Sequence, residues 1–482
     1  MAVQDITLLD ACALSQAIHE RRVTCVEVMQ AYLARIHRLN PIYNAIVNLQ
    51  PDEDSLAMAK VCDDELAAGQ SRGWMHGFPL AIKDTGHAIG FPTTFGSTLL
   101  KSAVATQDNL MTQRMKSAGG LVIGKTNMPE MGLGSHTFNT LFGATLNAWD
   151  TSVSAGGSSG GAAVALAQRL LPIADGSDFM GSLRNPAAWN NVFGLRPSQG
   201  RVPFWPAADV WLDQLGTEGP MARSVRDLVA LLATQSGSDD RTPLAIAEPA
   251  GSFPSQLEAA DLSQLRIGWL GNLQGYLAME DGLLDNCDIA LQLMQTAGAE
   301  VVPISPNFDP KQVWDAWLVW RAALVGSKVA SMLVLPDAAE QIKPEALWEH
   351  KQSQSLSAQQ WMQASKARSA FQGKLLELFE KVDVIALPAA QVWPFPVEKR
   401  WPETIAGRTM DTYHRWMEVT LYATFAGLPA LSVPAGFDPS GRWPAGLQLI
   451  GRPRGDAALL EVALAYEKLI PHWLNLKPTE AV

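Results

Sequence analysis

Two glycine-flanked serines and one lysine are the residues of this chain best placed to do chemistry. The first serine lies in Gly156-Gly157-Ser158-Ser159-Gly160-Gly161, directly before the helix-forming run AAVALAQRL. The second lies in Gly176-Ser177-Asp178-Phe179-Met180-Gly181-Ser182-Leu183-Arg184, behind an apolar, strand-like run from Leu170 to Ala174. Glycines abutting a helix start make a tight turn whose free N–H groups can hold a developing negative charge. A serine there can act as a nucleophile once a base takes its proton. Lysine can be that base only when uncharged, which burial favours, and Lys83 closes the apolar run of PLAIKD.

A third glycine-rich stretch imitates a nucleotide site. Gly119-Gly120-Leu121-Val122-Ile123-Gly124-Lys125-Thr126 fits the phosphate-loop pattern G-x-x-x-x-G-K-[ST]. Its context argues against that use. A helical stretch, 109–118, precedes it, and three bulky apolar residues fill its interior. The reading is a helix end at Gly119-Gly120 followed by a buried strand. The eight histidines sit in no G-x-S-x-G or H-E-x-x-H motif. His76, His87 and His136 fall near the serine segments and could line a pocket, but a structural role is the preferred reading.

These residues need a folded frame, and the composition allows one. The chain has 482 residues, 47% hydrophobic and 18% charged, an ordinary globular balance. A net charge of -11 gives no attraction for phosphate backbones, so nucleic acid is not an expected partner. Cys12, Cys25, Cys62 and Cys287 lack pair spacing, which removes zinc ribbons and redox motifs and suits reduced thiols in a cytoplasmic protein. No metal or cofactor is called for. The start, MAVQDITLLDA, does not read as a secretory signal, and no run reaches the ~20 apolar residues of a membrane helix.

Along the chain the pattern is α/β. Residues 7–66 read helical, with a Thr24/Glu27 capping box, a stripe at Val28, Tyr32, Leu33 and Ile36, and a break at Asn40-Pro41. In the core, 67–230, short apolar runs alternate with helical stretches. Further strand candidates are LRIGWL, EVVPI, VDVIALP, ALSVPAG and GLQLIG. Residues 309–381 are helical, with Val313, Trp317, Trp320 and Leu324 on one stripe, and read as an inserted cap. The whole, 1–482, is expected to be a single domain.

GGSSGG, GSDFMGSLRNPAA and PLAIKD together resemble the amidase signature family, as do GKTNMPEMG, GLPALSVPAG and GLQLIGRPRGDAALLEVALAYE. The resemblance implies a three-layer α/β/α domain around a mixed, mostly parallel twisted sheet. It also implies Ser182 as nucleophile, Ser158 as a proton bridge on a cis peptide bond, and Lys83 as base. The oxyanion hole would be the backbone N–H groups of Phe179, Met180, Gly181 and Ser182. Asp178 and Arg184 are assigned to a buried polar pair organising the loop, with Ser159 in the same network. The chain has Met180 where the family usually has glycine, which alters the backbone angles open to it and puts a thioether near the acyl pocket.

The expected reaction is hydrolysis of an amide C–N bond through a seryl acyl-enzyme, without cofactor. The substrate would be a small neutral apolar or aryl amide, because tryptophans of the cap could form an aromatic pocket and no arginine marks a carboxylate clamp. Carbamates (a urethanase activity) and esters use the same triad and stay open. So does a tRNA-dependent amidotransferase component, although such proteins usually carry D-T-G-G-S where this chain has Asp178-Phe179-Met180-Gly181-Ser182. A homodimer is compatible with this reading.

Overall fold

Helices start where capping residues stand. Thr24 and Glu27 exchange capping-box hydrogen bonds at the head of the helix Cys25–Tyr43. Its stripe, Val28, Tyr32, Leu33 and Ile36, is buried. This helix runs through Pro41, past the expected break, and stops at left-handed Asn44. Pro41 lies in the last turn, where a missing N–H removes a single helical bond. Asn109 caps the helix Leu110–Ser117 by accepting the Thr112 N–H at 3.0 Å. Gly119 then turns the chain at φ 105° into the buried strand Leu121–Thr126. The phosphate-loop imitation is thus a helix end and a strand, with Lys125 wholly buried and 3.8 Å from the Asp84 carboxylate.

The computed structural model describes residues 3–479; the extreme ends of the expected domain, 1–2 and 480–482, lie outside the described residues. The architecture is the α/β fold expected, a mixed eight-stranded sheet with flanking helices in one domain. Across the sheet the strands run Glu300–Pro303, Arg266–Trp269, Val384–Pro388, Pro444–Ile450, Ala430–Phe437, Phe193–Arg196, Thr217–Ala222 and Ala174–Asp178. The sheet is mixed but not mostly parallel. Only the first three strands pair in parallel, and every later pairing among the described residues is antiparallel. Phe193–Arg196 reaches Thr217–Ala222, and Ala430–Phe437 reaches Pro444–Ile450, without an intervening α-helix. Such connections return the chain antiparallel, and an apolar run carries no sign of its direction.

A smaller sheet orders Ile46–Val47, Leu121–Thr126 and Pro79–Lys83. It abuts the edge strand Ala174–Asp178 of the large sheet, where the Lys83 N–H donates to the Asp175 carboxylate at 3.1 and 3.3 Å. That edge strand begins where the run Leu170–Ala174 ends. Leu170, Leu171 and Ile173 are buried without joining a ladder. The helix Gly160–Ala167 is apolar all round and buried through Leu166. A Cβ at Gly161 would stand 2.5 Å from the Asn127 nitrogen, so only glycine lets this helix approach the small sheet.

Residues 309–381 form a helical layer: Pro310–Met332, Ala338–Gln341, Pro344–Ser353 and Ala358–Phe379. Val313, Trp317 and Trp320 are buried and Leu324 is half-buried. They join Phe371, Leu375, Trp416 and Phe425 in a second apolar core that clamps the cap onto the C-terminal half of the domain. No helix among the described residues is long and apolar enough to cross a membrane.

Candidate active site

Three stretches of chain converge on one amine. The Lys83 Nζ lies 2.7 Å from Ser158 Oγ, 2.9 Å from Ser159 Oγ and 2.9 Å from Ser177 Oγ. Lys83 ends its strand, Ser158 and Ser159 precede the buried helix, and Ser177 comes from the edge strand. Lys83 is 1% exposed. Burial brings its ammonium down to about 7, although Asp175, Asp178 and Glu218 pull the other way. Near neutral pH this lysine is therefore uncharged in a large share of molecules.

Ser182 joins through its backbone, its carbonyl accepting the Ser159 N–H at 3.2 Å. The Ser182 and Ser158 side chains are almost buried and line the same cavity of about 390 Å³. The Ser182 hydroxyl makes no hydrogen bond to another described residue. The Gly157–Ser158 peptide bond is cis.

Asp178 fixes the loop that carries Ser182. Its carboxylate accepts the Gly181 and Leu183 N–H groups at 2.9 and 3.2 Å and both forks of Arg184 at 2.9 and 3.0 Å. Burial pushes this carboxyl up, but Arg184 and Arg196 outweigh it and hold it well below the carboxylate range. Gly181 is therefore not a free donor. The N–H groups of Phe179, Met180 and Ser182 have no acceptor among the described residues. Met180 keeps an ordinary negative φ, and the left-handed angle falls on Gly181 at φ 86°.

A Cβ at Gly181 would stand 2.5 Å from Thr420 Oγ1 and 2.7 Å from its carbons. Gly181→Ala should cost ~1–3 kcal/mol of stability, read as a lowered urea midpoint, together with most of the activity. Thr420→Ala in the same chain removes the Oγ1 and Cγ2 contacts but leaves the Cβ at 2.7 Å and the strained φ, so only part of the loss should return.

The cavity wall differs from the one expected. Its aromatic lining is Phe95, Phe179 and Phe204; no tryptophan among the described residues reaches it. Trp317 stands behind Phe179, ring centres 5.4 Å apart. His76, His87 and His136 do not line it. His136 is held between Ser154 and the Val397 carbonyl, and burial lowers its imidazole to about 4. Cys62, Glu65 and His76 place ligand atoms within 4.8 Å of one another, yet both His76 nitrogens are engaged, with the Arg72 N–H and the Cys62 carbonyl. The four cysteines are free.

Some site residues carried no motif. Ser177 and Asp175 alternate on one strand, so they share a face toward Lys83, a signal that strand alternation could have given. Glu218 pairs across the sheet with Ser177 and lines the cavity. Its Oε1 accepts from Asn109 Nδ2 at 2.6 Å, and burial pushes the acid up to about 8. Arg321, from the cap, also lines the cavity and had no sequence signature at all.

Comparison with known proteins identifies the family of the chain. The family model described as Amidase matches residues 27–460. The chain is 32% identical to a glutamyl-tRNA(Gln) amidotransferase subunit of Thermosynechococcus vestitus over 96% of this chain and 99% of that protein. It is 30% identical to an acylamidase of Rhodococcus erythropolis over 100% of this chain and 99% of that protein. Among solved structures, a bacterial aryl acylamidase of the amidase signature family superposes with a TM-score of 0.87 at 26% identity, covering 97% of this chain and 98% of that one. The chain belongs to the amidase signature family.

Proposed function

We propose that this protein is an amidohydrolase that cleaves the C–N bond of a neutral apolar or aryl amide through a seryl acyl-enzyme. The observation that carries the reading is the buried Lys83 Nζ at 2.7 Å from Ser158 Oγ. Neutral Lys83 takes the Ser158 proton as Ser158 takes that of Ser182. The Ser182 Oγ attacks the carbonyl carbon. The oxyanion is held by the free N–H groups of Phe179, Met180 and Ser182. The relay then returns a proton to the leaving amine, and water cleaves the acyl-enzyme by the same route. The Ser182 and Ser158 hydroxyls line the same cavity, and catalytic contacts of this kind commonly tighten only around a substrate.

The largely apolar cavity favours uncharged substrates. Carbamates and esters fit the same chemistry. The family also contains amidotransferase components, and several are about as similar to this chain as the acylamidase is. Glutaminase activity together with a stable partner in a pull-down would move the assignment to that class.

The direct test is a hydrolysis screen of anilides, aliphatic amides, carbamates and esters, with fluorophosphonate labelling of Ser182. Labelling without turnover of any of the four classes would refute the hydrolase reading. The pH profile is a second test. The base must be uncharged, so kcat/KM should rise with pH through a midpoint near 7 and level off above it. A profile flat from pH 5 to 9, about two units either side of that midpoint, would contradict a lysine base.

A further inference from the structure

Of the polar residues that the cap places on the cavity wall, Arg321, Lys328 and Ser331, only Arg321 is buried. Arg321 is 2% exposed and lines the cavity among Met131, Leu133, Phe179, Val325, Met332 and Met417. Its Nε–H donates to Glu349, and one terminal nitrogen donates to the Tyr413 hydroxyl at 2.6 Å. Tyr413 in turn donates to the same Glu349 oxygen at 2.6 Å. The other terminal nitrogen, Nη1, meets only the Met180 sulfur among the described residues, at 4.0 Å. A thioether is a weak acceptor, so a buried charged donor is left nearly unused beside the loop that carries Ser182.

We infer that Arg321 Nη1 selects substrates bearing a second, uncharged hydrogen-bond acceptor, such as a carbonyl or ether oxygen, remote from the scissile amide. The acceptor must be neutral because Glu349 already balances the guanidinium. Both side chains are buried, so an added carboxylate would leave one uncompensated negative charge in the site. The planar guanidinium is held at two corners and covered by the Phe179 ring, 5.6 Å from its centre. It cannot swing away, so an acyl group with only methylenes at that depth leaves the donor without a partner. The inference rests on the amidohydrolase reading and narrows its substrate class.

The experiment compares para-nitroanilides of hexanoic acid, its oxo isomers with the ketone at successive carbons, and glutaric acid as the carboxylate control. At least one oxo isomer should exceed hexanoyl in kcat/KM by about tenfold or more, with glutaryl below it, because a hydrogen bond to a charged donor discriminates strongly. In Arg321→Met/Glu349→Gln, which removes both charges together, the oxo-to-hexanoyl ratio should fall to about 1. Met180→Leu frees Nη1 from the sulfur and should keep or raise the ratio. Equal kcat/KM for hexanoyl and every oxo isomer, or a preference for glutaryl, overturns this inference while leaving the hydrolase standing. Failure to cleave any of them, with no other amide cleaved, overturns the hydrolase reading and this one with it.

Discussion

Ser182→Ala should lower kcat/KM by about 10⁴–10⁶, and Lys83→Ala by about 10²–10⁴ at neutral pH. The two should combine to little more than the larger loss alone, since each disables the same relay. The lysine variant carries the sharper information. Among the described residues, Lys83 Nζ is the only side-chain nitrogen placed on the Ser158–Ser159–Ser177 cluster. Without it, the Ser182 proton has no acceptor but solvent, and the rise near pH 7 should vanish, leaving a rate that climbs with hydroxide. Steady-state kinetics of both variants from pH 5 to 10, about the span that brackets the free and buried lysine values, decides it. Full wild-type activity in Lys83→Ala would remove lysine from the mechanism.

Arg184→Ala is expected to destabilise the fold by ~3–5 kcal/mol, seen as a lower urea midpoint. Arg184 and Asp178 are both fully buried. Besides Asp178, the guanidinium donates to the Thr420 carbonyl at 2.8 Å, Gln448 Oε1 at 2.8 Å and Thr424 Oγ1 at 3.0 Å. Alanine removes a charged donor from each of these acceptors. Lysine should recover less than half of the loss, since it cannot reproduce the planar fork. The pH dependence has a definite sign. Asp178 titrates below its ordinary value of 3.8 in the folded state, so its contribution is full above 3.8 and is lost as pH falls toward the folded value. The stability gap between wild type and Arg184→Ala should therefore narrow in acid. A gap that widens below that pH would mean the pair is not the source of the stability.

The motif-borne part of the site was legible because serine, lysine and glycine stand there in fixed spacing. Ser158 and Ser182 meet at the cavity, and Lys83 reaches Ser158 across 75 residues of chain. The false phosphate loop could be dismissed from Leu-Val-Ile alone, since three such residues belong in a buried strand. What escaped notice depends on tertiary approach. Glu218 faces the site only because its strand returns antiparallel beside Ser177. Arg321 looked like one more charge on a helix of the cap. The Gly181 amide looked free, and only the structure shows Asp178 occupying it. The same blindness to strand direction made the sheet look mostly parallel.

The lysine and the serines come from the two sheets and the turns beside them, whereas much of the far wall comes from the helix Pro310–Met332, anchored in its own apolar core. On the proposed mechanism, bond breaking and molecular choice are thus written in separate stretches of the chain. On that mechanism, alterations at Val325 or Met332, which line the cavity, are expected to re-tune which guest is accepted without touching the proton path, so the scaffold would drift between clients while its reaction stays the same.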